Sequence, residues 1–177
     1  MNCCITNDER QAEKPKGDLC APEPLPHPDH CRRCGGHGRP VSRKTVLLML
    51  KPDLLEQAMS GSYNFCAVRD CLVVYFEDEG SHQFTVDDLR IRVGLKVKDD
   101  PIPLCYCFGF EESDIRDEIA RTGSTTIPER VSRLIREGMC ACDARNPAGV
   151  CCLGEVNQAA KLLKSQRSER SMTDRGY

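Results

Sequence analysis

The sequence predicts an α+β protein, a small β-rich half followed by a helical one. Two observations carry this. Between residues 31 and 76 close cysteine pairs alternate with short runs of strand-forming type. After residue 110 the apolar positions repeat at helical spacing behind readable caps. A chain of 177 residues accommodates one domain or two small ones. Aromatic residues make up 5% of it and Trp is absent, so a large conventional core is not expected. Bound metal would then supply part of the folding free energy.

Composition also narrows the function. A net charge of −2 and a pI near 6.1 give no global bias toward nucleic acid or an anionic membrane. No apolar run approaches the ~20 residues of a membrane span. The first ten residues have neither the basic region nor the apolar core of a secretory leader, so a cytoplasmic location is expected. There are 13 cysteines, an odd number, grouped in close pairs. In a reducing compartment that pattern favours metal thiolates over disulfides. A classical enzyme is not expected, because no Ser/His/Asp order, phosphate loop or nucleotide fingerprint is present. The segment Cys34-Gly35-Gly36-His37-Gly38 is too short for such a fingerprint and lacks its helix.

Residues 1–30 are polar and rich in proline, and read as an extended, flexible lead. Cys3, Cys4, Cys20, His27 and His30 fall in it, either as exposed groups on a mobile tail or as an accessory soft-metal site. Cys31-Arg32-Arg33-Cys34, followed at once by glycines, is a zinc knuckle. The glycines let backbone N–H groups curl toward the sulfurs while two thiolates chelate one metal. A redox C-x-x-C would instead open a helix after a strand. The second half of a tetrahedral site is Cys66 with Cys71. Residues 45–51 and 72–76 read as strands, completing a compact zinc-ribbon or treble-clef-like unit. Cys31, Cys34, Cys66 and Cys71 are therefore expected to hold a structural Zn2+; His37 is an alternative ligand, read as a surface loop residue.

Alternation of Leu89, Ile91, Val93, Leu95 and Val97 with polar residues predicts a half-buried strand, and 99–103 a hinge. This divides the chain into a zinc-binding domain over 31–100, a second domain over 101–165 and a flexible tail over 166–177. In the second domain Ser113 caps a helix bearing Ile115 and Ile119, ended by Thr122-Gly123. Thr126 and Glu129 form a capping box, with Pro128 in the first turn, for a helix bearing Val131, Leu134 and Ile135. Gly138 stops it, Asn146-Pro147 turns the chain, and Cys151-Cys152 starts a third helix with Leu153, Val156, Ala160 and Leu163 on one stripe.

The helical half is organised around Leu104-Cys105-Tyr106-Cys107-Phe108-Gly109-Phe110, answered by Cys140, Cys142, Cys151 and Cys152. Core packing does not explain thiolates presented from loops and a helix start; an iron–sulfur cluster does. A [2Fe–2S] group needs two thiolates on each iron, and helix N-termini behind Cys107 and at Cys152 would favour its negative charge. Phe108, Phe110 and Leu153 are placed to shield it. Cys105 and Cys107 are assigned to the cluster, with Cys142 and Cys152 as the distal pair. Cys140 or Cys151 could substitute for a neighbour. The spare thiols could hold Cu(I), which soft thiolates select, or simply surround the cluster.

Cys-x-Cys, two short helices and cysteines at a helix start resemble the bacterioferritin-associated ferredoxin-like [2Fe–2S] domain. Taken with the upstream pairs, residues 31–160 resemble more closely the N-terminal domain of CopZ-type copper chaperones of the archaeal type. The matching pieces are Cys31-x-x-Cys34, Phe65-Cys66 through Cys71 to Phe76, the 104–108 loop, Cys140-Ala141-Cys142, and 146–154. The resemblance implies one zinc and one [2Fe–2S] site. The two-part chaperones also carry a ferredoxin-like heavy-metal domain with a Met-x-Cys-x-x-Cys loop, and this sequence contains no such loop. Three functions are therefore in play. One is a metallochaperone-like protein that reduces Cu(II) and captures Cu(I), with a redox or metal-transfer protein as partner. The others are a ferredoxin-like module without copper and a zinc-only interaction protein.

Overall fold

A computed structural model describes residues 29–78 and 82–173, with side chains to residue 169. Cys3, Cys4, Cys20 and His27 lie outside them. The architecture is α+β, as the sequence predicts. Strands β1 (Gly38–Val41), β2 (Tyr63–Cys66), β3 (Val73–Glu77) and β4 (Gln83–Thr85) form an antiparallel sheet in the order β1-β2-β3-β4. Helix α1 (Arg43–Met49) and a 3-10 turn (Pro52–Ala58) connect β1 to β2. A two-stranded ribbon, β5 (Pro103–Cys105) with β6 (Phe110–Glu111), opens the helical half. It is followed by α2 (Glu112–Thr122), α3 (Ile127–Arg136), the single turn α4 (Cys142–Arg145) and the long α5 (Leu153–Thr173).

Several local expectations change. Residues 45–51 are mostly helix, not strand. Ser42 caps α1 by accepting a hydrogen bond from the Thr45 N–H at 3.1 Å, and the buried Val46, Met49 and Leu50 recur at helical spacing. The alternating stretch 89–97 is not a strand either. Leu89 makes a single bridge to Leu50, and of the five apolar positions only Leu89 and Val93 are buried. The run is pinned instead by main-chain bonds from Lys51 to Asp88 and from Arg90 to Met49. Helix α2 starts at Glu112, and its capping box is Glu111 with Asp114, not Ser113. Thr126 precedes α3 but its hydroxyl is drawn to Glu118 at 2.8 Å, so the box with Glu129 does not form. Gly123, at φ +87°, ends α2 as expected. Helix α5 begins at Leu153 and runs to Thr173, past the point where a frayed tail is predicted.

Two main cores result. Under the sheet, Val46, Leu50, Phe65, Val74 and Tyr75 pack with Phe84 and Leu89. In the helical half Ile115, Ile119, Ile127, Val131 and Val156 surround Cys105, Cys142 and Cys152. The 143–150 segment crosses from the second half back onto the first. Ala148 enters the sheet core, the Thr45 hydroxyl donates to the Asp143 carbonyl at 2.5 Å, and the buried Tyr75 hydroxyl donates to the Pro147 carbonyl at 2.8 Å. Tyr75→Phe strands that buried carbonyl, a loss of about 1–3 kcal/mol. A fall in melting temperature of roughly 2–10 °C is expected by calorimetry, with the metal content unchanged.

Candidate metal centres

The first centre grows out of two tight turns. Cys31 and Cys34 occupy the turn before β1, closed by bonds from the Cys31 N–H to Gly36 and from the Gly35 N–H to Cys31. Cys66 ends β2, opposite Gly38 in the ladder, and Cys71 lies two residues ahead of the start of β3 at Val73. The two turns lie face to face. A Cβ on Gly36 would sit 2.4 Å from the Val68 side chain, so this close approach needs glycine. Main-chain N–H groups of Gly36, Val68 and Val73 hydrogen-bond the sulfurs two residues before them.

All four sulfurs lie within 4.8 Å of one another, with Cys31–Cys71 at 3.9 Å and Cys34–Cys66 at 3.6 Å. A tetrahedral zinc with Zn–S of ~2.3 Å requires edges of about 3.8 Å. The donor set therefore has the type and spacing of a closed zinc site. Cys31, Cys66 and Cys71 are buried and Cys34 is exposed. Burial pushes the Cys66 thiol up to about 12, so a metal must displace its proton; the nearby Lys96 ammonium eases the charge. His37 is turned away, with Nδ1 on the Gly38 carbonyl at 2.6 Å and Nε2 on Asp29 at 2.9 Å.

The second group lies where the β5–β6 ribbon meets α4 and α5. Gly109, at φ +72°, turns the chain back after Cys107. The first helix does not follow Cys107 directly, because β6 intervenes and α2 starts at Glu112. The structure brings together Cys105 with Cys152, at 3.1 Å, and Cys107 with Cys142, at 3.6 Å. The closest contacts thus run between loop and helix starts, not within each sequence pair. Among the described residues, only the first quartet has three or more ligand atoms all within 4.8 Å. These four sulfurs are two pairs and not a second mononuclear cage.

Cys105 and Cys152 are each 1% exposed, with Cys142 also buried; Cys140 is half-buried and Cys151 exposed. Backbone N–H groups aim inward: Ala141 to Cys107 Sγ at 3.3 Å, Phe108 and Cys107 to Cys105, and Cys152 to Cys142. The Cys152 thiol donates to Cys105, holding Cys105 toward the thiolate, while Cys152 is pushed well up by the same contact and by burial. Phe108, Phe110 and Leu153 pack against this core, as the sequence suggests.

Two supporting residues carried little sequence signal. The Tyr106 hydroxyl, between the two loop cysteines, accepts the Gly94 N–H at 2.8 Å. Asn146, buried, donates to the Val150 carbonyl and accepts from the Ala148 N–H, which fixes the turn before Cys151; its place in Asn-Pro-Ala-Gly was the only hint. A Cβ at Gly94 would lie 1.8 Å from the Pro103 carbonyl oxygen. Gly94→Ala must therefore part the 94 and 103 segments, and we expect it to cost about 1–3 kcal/mol by chemical denaturation.

A four-cysteine cage with three of its four sulfur-bearing residues buried, and a second nest of paired thiols, on an α+β frame define a cysteine-rich metal-binding protein. Residues 28–90 match the zf_CopZ family, described as "Zinc binding domain". The chain is 30% identical over 123 residues to the copper chaperone CopZ of Archaeoglobus fulgidus, an alignment covering 69% of this chain and 57% of that protein. The X-ray structure of the N-terminal domain of the same CopZ superposes with a TM-score of 0.62 at 28% identity, over 73% of this chain and 95% of that one. The chain carries a CopZ-type N-terminal domain, with a zinc-binding part over residues 28–90. It spans 57% of the length of its full-length relative. None of the described helices is long and apolar enough to cross a membrane.

Proposed function

We propose that this protein is a metallochaperone-like redox protein, with a structural zinc in one half and a [2Fe–2S] cluster in the other. The zinc is held by Cys31, Cys34, Cys66 and Cys71. The cluster is held by Cys105, Cys107, Cys142 and Cys152. One observation carries the second assignment: two sulfur pairs, at 3.1 and 3.6 Å, presented to each other with N–H donors around them. A binuclear cluster requires two thiolates per iron, whereas a second zinc would draw all four into one cage.

The cluster, when bound, supplies one electron at a time, which suffices to take Cu(II) to Cu(I). The chain's own residues set the conditions. The Ala141, Phe108 and Cys152 N–H groups offset the negative charge on the sulfurs. Burial of Cys105, Cys142 and Cys152 among Ile127, Val131 and Val156 keeps water from them. Half-buried Cys140 and exposed Cys151 stand beside the ligands, and as soft donors they suit capture of Cu(I). A reducing cytoplasm would keep these thiols available.

The test is metal analysis and visible spectroscopy of anaerobically reconstituted protein, before and after dithionite. About two irons and one zinc per chain, with a spectrum bleached on reduction, is the expected result. Zinc alone after attempted reconstitution would leave a zinc-bound interaction protein. Copper added to the reduced protein, bound with the cluster intact, separates a chaperone from a plain ferredoxin-like module.

A further inference from the structure

An apolar cleft of about 520 Å³ lies directly against the Cys105 loop. Its walls are Leu48 from α1, Ile91 from the irregular 89–98 run, and Pro103 and Phe110 from the ribbon; Cys105 and Tyr106 form part of its lining. Leu48 and Ile91 stand 44% and 36% exposed, although both belong to segments whose neighbours are buried. Arg92 and Arg145 edge the cleft. Arg92 is braced by Asp99, through its carboxylate at 3.1 Å and its carbonyl at 2.9 Å, and so keeps a fixed place. Arg145 bonds only the Cys107 carbonyl, at 3.5 Å, and no carboxylate pairs with it among the described residues. A third guanidinium, Arg130, lies 5.0 Å over the outer ribbon ring of Phe110. The one carboxylate in the lining, Glu111, is turned to the start of α2, where it caps the helix and accepts from Ser113.

We infer that this cleft is where an acidic electron-transfer protein docks, seating an apolar side chain between Leu48 and Ile91 and its carboxylates on Arg92 and Arg145. The inference rests on the cluster reading above, and adds to it the face used and the charge of the partner. An apolar centre with a charged edge is the make-up of weak, transient protein contacts, in which charge steers the encounter. No other cleft among those described is lined by a candidate cluster ligand. An occupant here lies against Cys105 and Tyr106, which shortens the path for an electron.

The probes are ferricytochrome b5, whose haem edge is ringed by carboxylates, and basic ferricytochrome c. Each takes one electron from the reduced cluster, one ferric haem becoming ferrous. With reconstituted wild-type protein, oxidation by cytochrome b5 should be the faster and should slow with salt. Arg145→Glu and Leu48→Glu should each slow it about tenfold, and Arg145→Glu should not slow cytochrome c. A second readout needs no turnover. With both proteins oxidised, cytochrome b5 should shift the Leu48 and Ile91 methyl resonances of the wild type and leave those of Arg145→Glu unmoved. Leu48 is not part of the core that holds the candidate ligands, so Leu48→Glu decides the matter if Arg145→Glu proves unable to hold the chromophore. Rates blind to both substitutions, or shifts on another face, overturn the docking site while an intact chromophore preserves the cluster reading. Failure to form any chromophore removes both.

Discussion

Cys66→Ser should empty the zinc site and unfold the sheet half of the protein. Cys66 is completely buried, ends β2 and packs with Cys31, Cys71, Val73 and Phe76 in a small cluster of its own. That cluster has little apolar area, and its hold on the sheet depends on the metal that the sulfurs share. Structural zinc contributes about 10–16 kcal/mol of apparent binding free energy in small domains. Whole domains are stable by only about 5–15 kcal/mol, so removing a buried thiolate is expected to exceed what the sheet core can offset. Zinc should fall from about one per chain to near zero, and strand dichroism should collapse with it. Cys34→Ser should be milder, because Cys34 is the exposed ligand and water can take its place. Full zinc retention by Cys66→Ser, measured by elemental analysis after dialysis, would refute the assignment of this cage. Sustained acidification should act like the mutation, since protons compete for the thiolates that burial already disfavours.

What could be read in the sequence was whatever depends on local chemistry. Cysteine spacing with glycines marks Cys31, Cys34, Cys66 and Cys71, because chelation fixes both residue type and separation. Gly123 and Gly138 mark helix ends, because positive φ favours glycine. What could not be read depends on distant partners. Leu-rich 45–51 suits helix or strand, and Ser42 together with burial against the sheet decides it. The alternation at 89–97 is genuine in the sequence, but among the described residues no strand lies alongside to pair with it, so only Leu89 bridges. The pairing of Cys105 with Cys152 also lies beyond a sequence reading, because it depends on where α5 docks against the ribbon. The Tyr75 bond to Pro147 joins residues 72 apart in sequence and has no local signature.

Cys105→Ser and Cys152→Ser should each abolish the visible chromophore, whereas Cys151→Ser and Cys140→Ser should keep it. Register separates the neighbours. The Cys152 carbonyl accepts the Val156 N–H at 3.1 Å, which places Cys152 immediately ahead of α5 with its side chain turned to the core. Bringing Cys151 inward instead would rotate the helix start and draw the completely buried Val156 out of contact. The same holds for α4, where the Cys142 carbonyl accepts the Asn146 N–H at 3.1 Å and the Asn146 side chain fixes the turn behind it. A serine at Cys105 or Cys152 also leaves the surviving sulfur of that pair in an apolar site, where an anion is costly without its metal. Iron per chain and visible absorbance after reconstitution are the readouts, with zinc content as the control for folding. Loss of the chromophore in Cys151→Ser to the same extent as in Cys152→Ser would reassign the ligand. Cys140→Ser combined with Cys151→Ser should lower Cu(I) uptake without bleaching the chromophore, because it removes the soft donors beside the proposed ligands and leaves those four cysteines in place.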